Sequence, residues 1–544
     1  MKRDHPYSGR WVAKLQGKIV GQGGTPRQAL RAAKVSRLKE TPDVEYMPSS
    51  QVVTLPQEVQ RIVSALPEGQ EIYLVGGAVR DLLLGRATND FDFAVPGPAI
   101  PLARRVAQKL GADFYPLDSE RDAGRLLVQG SGGKRATFDF VGFQGKDIDA
   151  DLAARDFTIN AMAIDLRNPG ALLDPFGGAQ DLLAKVVKAV SPSVFENDAV
   201  RILRAVRMAA AFGMKIEKET RERMRKAVSD LQLVSAERLR DELFRLLLAP
   251  KPAASIRALD ILGMLPCVLP ELMPLKGIEQ SPPHAFDVWE HTLRVVDQLE
   301  RVANSLTDAP ADKSSGDLVT SLINLSLGRY RRQFTEHLEG ELVAGRPRLG
   351  LLFFAALLHD AGKAGTRSLG NDGRIHFYEH EARGTEMAQA RAAAFNLSND
   401  EKNLLEILIG QHMRPMQLTL TGEAPMRRAI YRFFRATGEA GVDICLLSLA
   451  DFLGKFAGEI PGEELKRHLE TLRLLLEPYY ERHDAEVDPK PFLTGDDLMS
   501  EFDLTPGPRV GALLAELHEA QAAGEIASRA AALDFARSSL ERKR

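Results

Sequence analysis

The stretch Glu71-Ile72-Tyr73-Leu74-Val75-Gly76-Gly77-Ala78-Val79-Arg80-Asp81-Leu82-Leu83-Leu84-Gly85, continued by Asn89-Asp90-Phe91-Asp92-Phe93-Ala94-Val95, carries the pattern on which the fold turns. Ile72 to Val75 is a short apolar run of strand type, and Ala78 to Leu84 has the spacing of a helix that Gly85 ends. A strand entering two glycines and a helix start lets backbone N–H groups approach an anion, with the helix N-terminus adding partial positive charge and Arg80 a full one. By itself a glycine pair in that place is as readily a tight turn. The second segment alternates, so that in a strand Asp90 and Asp92 share one face while Phe91 and Phe93 point to the other. Two carboxylates at i and i+2 form a clamp for a divalent cation, and Mg²⁺ commonly takes one or two carboxylates together with phosphate oxygens. An isolated Asp-x-Asp also occurs on surface strands; its place after Gly-Gly-x-x-Arg-Asp favours a catalytic site.

Working outward, the chain has 544 residues, 44% hydrophobic and 27% charged, which at about 100–200 residues per domain predicts three or four domains. The only cysteines, Cys267 and Cys445, lie far apart, which excludes a disulfide framework and a thiolate zinc site and fits a reducing cytoplasm. Met1-Lys2-Arg3-Asp4-His5 leads into no apolar segment, and no run approaches about 18 apolar residues, so neither secretion nor membrane spanning is expected. The net charge is −3, so affinity for nucleic acid has to come from local patches. One patch is residues 1–40, with ten Lys or Arg against Asp4 and Glu40. Trp11 to Leu15 and Lys18 to Val20 read as strands around Gln16-Gly17, and Thr25-Pro26 starts a helix, giving a small ββα module. Residues 42–51 read as a linker. Such a module is a solvated adapter or, on its charge, an RNA contact.

The quoted stretch resembles the head of the class II tRNA nucleotidyltransferase and bacterial poly(A) polymerase family. Further motifs follow in that family's order. Arg155-Asp156-Phe157-Thr158-Ile159-Asn160-Ala161 resembles R-R-D-F-T-x-N-A, and Asp174-Pro175-Phe176-Gly177-Gly178 resembles D-P-x-G-G. Asn197-Asp198-Ala199-Val200-Arg201 falls on E-D-x-x-R, and Glu237-Arg238-Leu239-Arg240-Asp241-Glu242 resembles the neck's E-R-x-x-x-E. The resemblance implies that Asp90 and Asp92 hold Mg²⁺ and that Gly76, Gly77, Arg80 and Arg155 orient a nucleoside triphosphate. It implies that Asn160 contacts the ribose or phosphates. Asp198 and Arg201, with Arg204 one turn on, would present a base-reading edge that selects CTP and then ATP; outside that context they read as an exposed i,i+3 ion pair. Asp139, in the run 136–141, is expected on a strand beside Asp90 and Asp92 as a third catalytic carboxylate. Two residues depart from the motifs: Ala154 stands where the family has the first arginine of R-R-D, and Asn197 where it has the glutamate of E-D-x-x-R.

Downstream, His291, His359-Asp360, His380, His412 and Asp451 resemble, in identity and order, the ligand set of HD phosphohydrolases. A lone histidine in an apolar helix is usually a core residue, whereas six ligand types in order imply a metal site. Mixed imidazole and carboxylate ligands suit a divalent transition metal, Ni, Mn, Fe or Zn. His284 and His376 fall outside this pattern and read as structural or surface residues.

The expected class is α+β. A small mixed-sheet nucleotidyltransferase head at 51–182 follows the module and linker at 1–50. Then come an all-helical neck at 183–283, an HD helical bundle at 284–480 with a flexible insertion near 304–348, and a helical tail at 481–544. The expected function is addition of C, C and A to the tRNA 3′ end from CTP and ATP, with tRNA as partner, no membrane, no obligatory protein partner, and a metal-dependent phosphohydrolase activity on cyclic or terminal phosphates. The alternatives are a poly(A) polymerase, a partial adder of CC or A, and an HD phosphohydrolase whose head only binds RNA.

Overall fold

In a computed structural model of the chain, the described residues are 9–34, 41–47, 54–129, 135–169, 171–307, 317–420 and 427–542. The chain divides into two compact units, Met1–Val234 and Ser235–Arg544, and the division falls within the stretch read as the neck.

The first unit opens on β1 (Arg10–Leu15) and β2 (Lys18–Gly23). They are joined through Gln16 and Gly17 at φ 50° and 79°, the doubly left-handed turn that suits a twisted hairpin. Helix α1 (Pro26–Lys34) follows, with the Thr25 hydroxyl accepting from the Gln28 amide at 3.2 Å. The residues read as a linker hold a third strand, β3 (Asp43–Met47), on the free edge of β1. Pro42 hid it; what makes it is pairing, since Tyr46 packs against Trp11 with ring centroids 5.5 Å apart and Glu45 meets Lys14. Pro48 to Gln51, and the basic residues Lys2, Arg3, Arg37 and Lys39, lie outside the described residues.

After α2 (Gln57–Ala65) come β4 (Tyr73–Val75), α3 (Gly77–Leu83), β5 (Asp90–Val95), α4 (Ala99–Leu110), β6 (Asp113–Asp118), β7 (Ala123–Gln129) and β8 (Arg135–Gly142). Then follow α5 (Ile148–Ala154), β9 (Ala163–Asp165), β10 (Leu172–Leu173) and α6 (Gly178–Leu183). The sheet is larger than the short one expected: seven strands in the order β10-β9-β4-β5-β8-β7-β6, with only β5 and β8 parallel. The parallel pair is cemented on one face by Phe91, Phe93, Phe138 and Phe140, all fully buried, with Phe91 and Phe138 stacked at 5.2 Å. Each such ring contributes about 1.5–3 kcal/mol by leaving water. Because side chains alternate, that packing turns Asp90, Asp92 and Asp139 to the opposite face.

The neck is not wholly helical. Short β11 (Val186–Val187), α7 (Val194–Asn197) and the helix Arg201–Phe212 lead to β12 (Lys215–Ile216), which pairs with β11 in parallel. The β-branched pair Val186-Val187 finds an edge that local periodicity does not reveal.

The second unit is helical, and Val288–Leu306, Arg348–Leu358, His380–Ala394, Asn399–Gln411 and Ala440–Gly454 pack together in it. Residues 317–347, expected to be flexible, form helices Leu318–Leu327 and Arg331–Glu339 and a hairpin. Buried Ile323, Leu327, Tyr330, Phe334 and Leu338 recur at helical spacing there, and the breaker-rich composition belongs to 308–316, which includes Ser314-Ser315-Gly316 and lies outside the described residues. The tail helices Gly495–Phe502, Pro508–Ala522 and Arg529–Arg542 share a small core around Leu498, Leu513 and Ala536. No described helix is long and apolar enough to cross a membrane.

Candidate functional site

Three carboxylates share the polar face of the head sheet. Asp92 lies opposite Asp139 across the parallel pair β5–β8, and Asp90 is two residues earlier on the same edge. Gly76 ends β4 at φ 72°, and a Cβ there would sit 2.8 Å from Arg155 Nη1 and 3.4 Å from Asp92 Oδ2. That glycine is therefore required twice, for its backbone angle and for the room it leaves Arg155 beside Asp92. Asp151, 5% exposed on α5, aims the arginine by accepting from Arg155 Nη2 at 3.1 Å. Asp139 accepts a two-pronged bond from Arg125 of β7, at 2.7 Å on each oxygen. Burial pushes the Asp92 carboxyl up to about 6, Arg155 opposes the shift, and the charges of Asp90 and Asp139 add to it. A carboxylate desolvated among like charges is relieved by a cation, so this donor set fits a hard divalent ion.

Behind this face runs a buried polar network. Arg80 is 7% exposed; it donates to both Asp81 oxygens and, at 2.7 Å, to Asn160 Oδ1, with its guanidinium 4.3 Å from the Phe212 ring. Asn160 Nδ2 and Arg204 Nη1 each donate to Asp156 at 3.0 Å. Burial alone would raise the Asp156 carboxyl, but Arg204 and Asn160 hold it below the usual range. Thus Asn160 and Arg204, expected at the nucleotide, meet on Asp156, and Arg80 joins them through Asn160. Neither that hub nor Asp151 and Arg125 was singled out from sequence; Asp151 stands at i,i+4 to Arg155 and could have been, whereas Arg125 reaches Asp139 only through sheet register.

Asp198 is the extended residue between α7 and the helix that starts at Arg201, and the two side chains approach to 3.6 Å. Arg201 also donates to the Ala154 carbonyl at 3.1 Å, so one altered motif position supports the arginine through its backbone. Asn197, the other, donates to Ser193 Oγ at 3.5 Å.

In the second unit the six expected ligands converge. Ligand atoms of His291, His359 and Asp360, and of Asp360, His380 and His412, lie within 4.8 Å of one another in each trio. Asp451 joins through His291 Nε2 at 3.0 Å. The Nδ1 atoms of His359, His380 and His412 face the carbonyls of Ala356, Phe377 and Ile409 at 2.7–2.8 Å, which leaves each Nε2 as the ligand atom. Among the described residues, buried Nε2 of His380 and His412 has no hydrogen-bond partner, and burial pushes His412 down to about 3. Inward-aimed Nε2 atoms, with His412 held neutral by burial, beside the ionised Asp360 carboxylate that belongs to both trios, fit a divalent metal. Gly362 makes the approach possible, because a Cβ there would lie 2.1 Å from the His380 carbonyl oxygen. By contrast, Asp90, Asp92 and Asp139 form no such compact trio among the described residues.

His284 and His376, read as structural or surface residues, join neither ligand trio among the described residues but lie beside the cluster. Both line the pocket of about 220 Å³ at this cluster, with Lys363 and Lys455, and the His284 ring stands edge-on to His291 at 5.2 Å. Lys363 Nζ donates to Asp360 at 2.7 Å and Lys455 Nζ lies 3.3 Å from Asp451. Their spacing of three and four residues from those aspartates was a usable signal.

The Poly A polymerase head domain family matches residues 72–188, the probable RNA and SrmB-binding site of polymerase A matches 213–276, and the HD domain matches 288–451. The chain is 33% identical over 469 residues to an A-adding tRNA nucleotidyltransferase of Deinococcus radiodurans, covering 83% of this chain and 92% of that protein. It is 32% identical over 473 residues to a CC-adding tRNA nucleotidyltransferase of Thermus thermophilus, covering 86% and 93%. A Thermotoga maritima CCA-adding enzyme complexed with tRNA shares the fold, with a TM-score of 0.53 and 20% identity over 90% of this chain and 97% of that one.

Proposed function

The chain belongs to the tRNA nucleotidyltransferase family, and from that premise we propose that it adds C, C and A to the 3′ end of tRNA from CTP and ATP, without a nucleic-acid template, in the cytoplasm. The observation that carries this reading is the convergence of Asp92, Asp139, Gly76 and Arg155 on one face of the head sheet. Mg²⁺ held by Asp90 and Asp92 would supply charge neutralisation at the triphosphate and acidify the attacking hydroxyl. Arg155 and the amides after Gly76 and Gly77 orient the phosphates. The tRNA 3′-oxygen attacks the α-phosphorus, the bond to the β-phosphate oxygen breaks, and pyrophosphate leaves. In this reading Asp139 takes the hydroxyl proton, and Arg125 adds positive charge beside it. Asp198 accepts from an exocyclic amine and Arg201 donates to the ring, an edge that cytosine and adenine satisfy. Arg80, Asn160 and Arg204 position this wall through Asp156.

For the second unit we propose a phosphohydrolase that takes RNA-end phosphates, cyclic or terminal. A divalent metal, Ni, Mn, Fe or Zn, bound by His291, His359, Asp360, His380, His412 and Asp451 would supply an activated water. The water oxygen bonds to phosphorus, the ester P–O bond breaks, and the leaving oxygen takes a proton. Lys363 and Lys455 neutralise the phosphate. Such an end lacks the free 3′-hydroxyl that nucleotide addition needs, so the two activities serve one substrate in turn.

A second reading of the head is supported by a specific observation: relatives spanning more than nine-tenths of their length against this chain are named for A addition or for CC addition. Primers separate the two. Transfer RNAs ending at the discriminator base, at C and at CC are each incubated with CTP and with ATP. Full addition predicts CTP use on the first two and ATP use on the third. A partial adder uses only one nucleotide, and no incorporation on any primer refutes both.

A further inference from the structure

The hairpin of Arg367–Leu369 and Ile375–Phe377 enters neither proposed reaction. Its strands pair with Ser368 opposite His376, the turn is closed by the Gly370 amide donating to the Arg374 carbonyl at 2.8 Å, and the Ile375 amide donates to Ser281 Oγ at 2.7 Å. One side of the hairpin belongs to the histidine pocket, which Ile375, His376 and Phe377 help line. The next residue, Tyr378, is 69% exposed, and its ring lies on the His376 imidazole at 5.2 Å and an interplanar angle of 10°. Glu379, at φ 61°, turns the chain so sharply that Tyr378 stays in solvent while His380 is 7% exposed at the metal cluster. A left-handed glutamate next to a ligand is a costly conformation of the kind that collects at functional sites. Arg367 and Arg374 of the same hairpin are exposed.

Size and charge point to an occupant. A cavity of about 220 Å³ lies below the roughly 300–1,000 Å³ of pockets that enclose a drug-sized ligand, so a phosphate and its ribose fill it and the base stays outside. Outside stands a flat aromatic face, its plane fixed by an imidazole that is itself part of the pocket wall, on a hairpin with two free-standing guanidinium groups to meet backbone phosphates. We infer that Tyr378, backed by His376 and following a hairpin that exposes Arg367 and Arg374, is a stacking platform for the terminal nucleobase of an RNA whose end phosphate enters the histidine pocket. The inference rests on the phosphohydrolase reading and gives its site a substrate class, polynucleotide ends in preference to small esters.

The test compares the full-length protein with Tyr378→Ala and Tyr378→Phe in Mn²⁺. The substrates are a short RNA ending in a 2′,3′-cyclic phosphate and the base-free esters glycerol 2-phosphate and glycerol 1,2-cyclic phosphate. Because base–aromatic stacking is worth about 1–3 kcal/mol, Tyr378→Ala should raise KM for the RNA end by about 5- to 150-fold. Turnover of the base-free esters should be unchanged, and Tyr378→Phe should behave as wild type. An unchanged KM for RNA, or an equal loss on both substrate classes, overturns the platform. If the wild type hydrolyses no ester, the phosphohydrolase reading falls instead, and binding then decides the platform. Phosphate-ended RNA must still bind more weakly to Tyr378→Ala than to Tyr378→Phe relative to hydroxyl-ended RNA, and equal ratios overturn it.

Discussion

Asp92 is the head carboxylate on which burial and neighbouring like charge act together. Its carboxyl is pushed up to about 6, first by burial and then by Asp90 and Asp139, against the pull of Arg155. In the metal-free protein the folded state therefore favours the neutral acid. The associated stability is fully present below the ordinary carboxylate range and is lost as pH rises through about 6. Asp92→Asn keeps a neutral group at every pH. Without divalent ion, it should melt higher than wild type at pH 8, by the order of 1–3 kcal/mol, with the difference vanishing below about pH 4; melting curves across pH check this. The same variant should lose at least about a hundredfold in nucleotide incorporation. In the wild type, Mg²⁺-dependent incorporation should fall as pH drops through about 6, because the proton competes for the ligand oxygen. The Asp90–Asp92 pair was legible because strand alternation is a local rule. Arg125, bonded to Asp139 from another strand, was not, since only the register of β7 on β8 brings it there.

At the scale of elements, the N-terminal module shows where reading along the chain stopped. Its hairpin and helix follow from local turn and capping residues, but β3 exists only as a partner for β1. How the module meets the head is likewise a long-range fact. Gly24 O accepts from the Asp174 amide at 2.8 Å, Thr25 Oγ1 donates to Asp149 at 3.3 Å, Arg27 pairs with Asp147, and Trp11 Nε1 donates to the Leu172 carbonyl at 3.2 Å. Asp147 caps α5, the helix that carries Asp151 and leads to Arg155. A Cβ at Gly24 would sit 1.6 Å from the Asp174 carbonyl oxygen, so Gly24→Val forces the module off its seat. The expected result is a loss of about 1–3 kcal/mol in stability and a several-fold rise in KM for the nucleotide as α5 loosens. A variant with the wild-type melting temperature and KM would show that the module does not support α5. The helices at 317–339 were missed for the opposite reason: the Ser- and Asp-rich composition of 308–316 overshadowed the apolar spacing that follows it.

Across the whole molecule, the head carboxylates proposed to hold Mg²⁺ and the histidine cluster proposed to hold a second metal fall in two compact units and share no residue. His359→Ala and Asp360→Ala should each abolish metal-dependent ester hydrolysis and lower the metal content of the purified protein, while nucleotide addition stays within about twofold of wild type. A parallel loss of addition would mean that the histidine cluster supports the head. Motif order made both centres legible because each ligand sits at a fixed local spacing from a strand or helix end. Their inner partners, Asp156 beneath Asn160 and Arg204 and His284 in the histidine pocket, were hidden because burial and convergence come from packing. In the proposed function, side chains at Asp90, Asp92, Asp198 and Arg201 build and choose the tRNA end without a template. The most direct measurement is to sequence the 3′ ends made from tRNA lacking its last three residues, with all four nucleoside triphosphates at equal concentration, for wild type, Asp90→Ala and Asp198→Ala. Wild type should give ends reading C, C and A, Asp90→Ala no extension, and Asp198→Ala misincorporated U or G, as the proposed function requires. Runs of A on the wild-type product, or wild-type ends from Asp90→Ala, would contradict it.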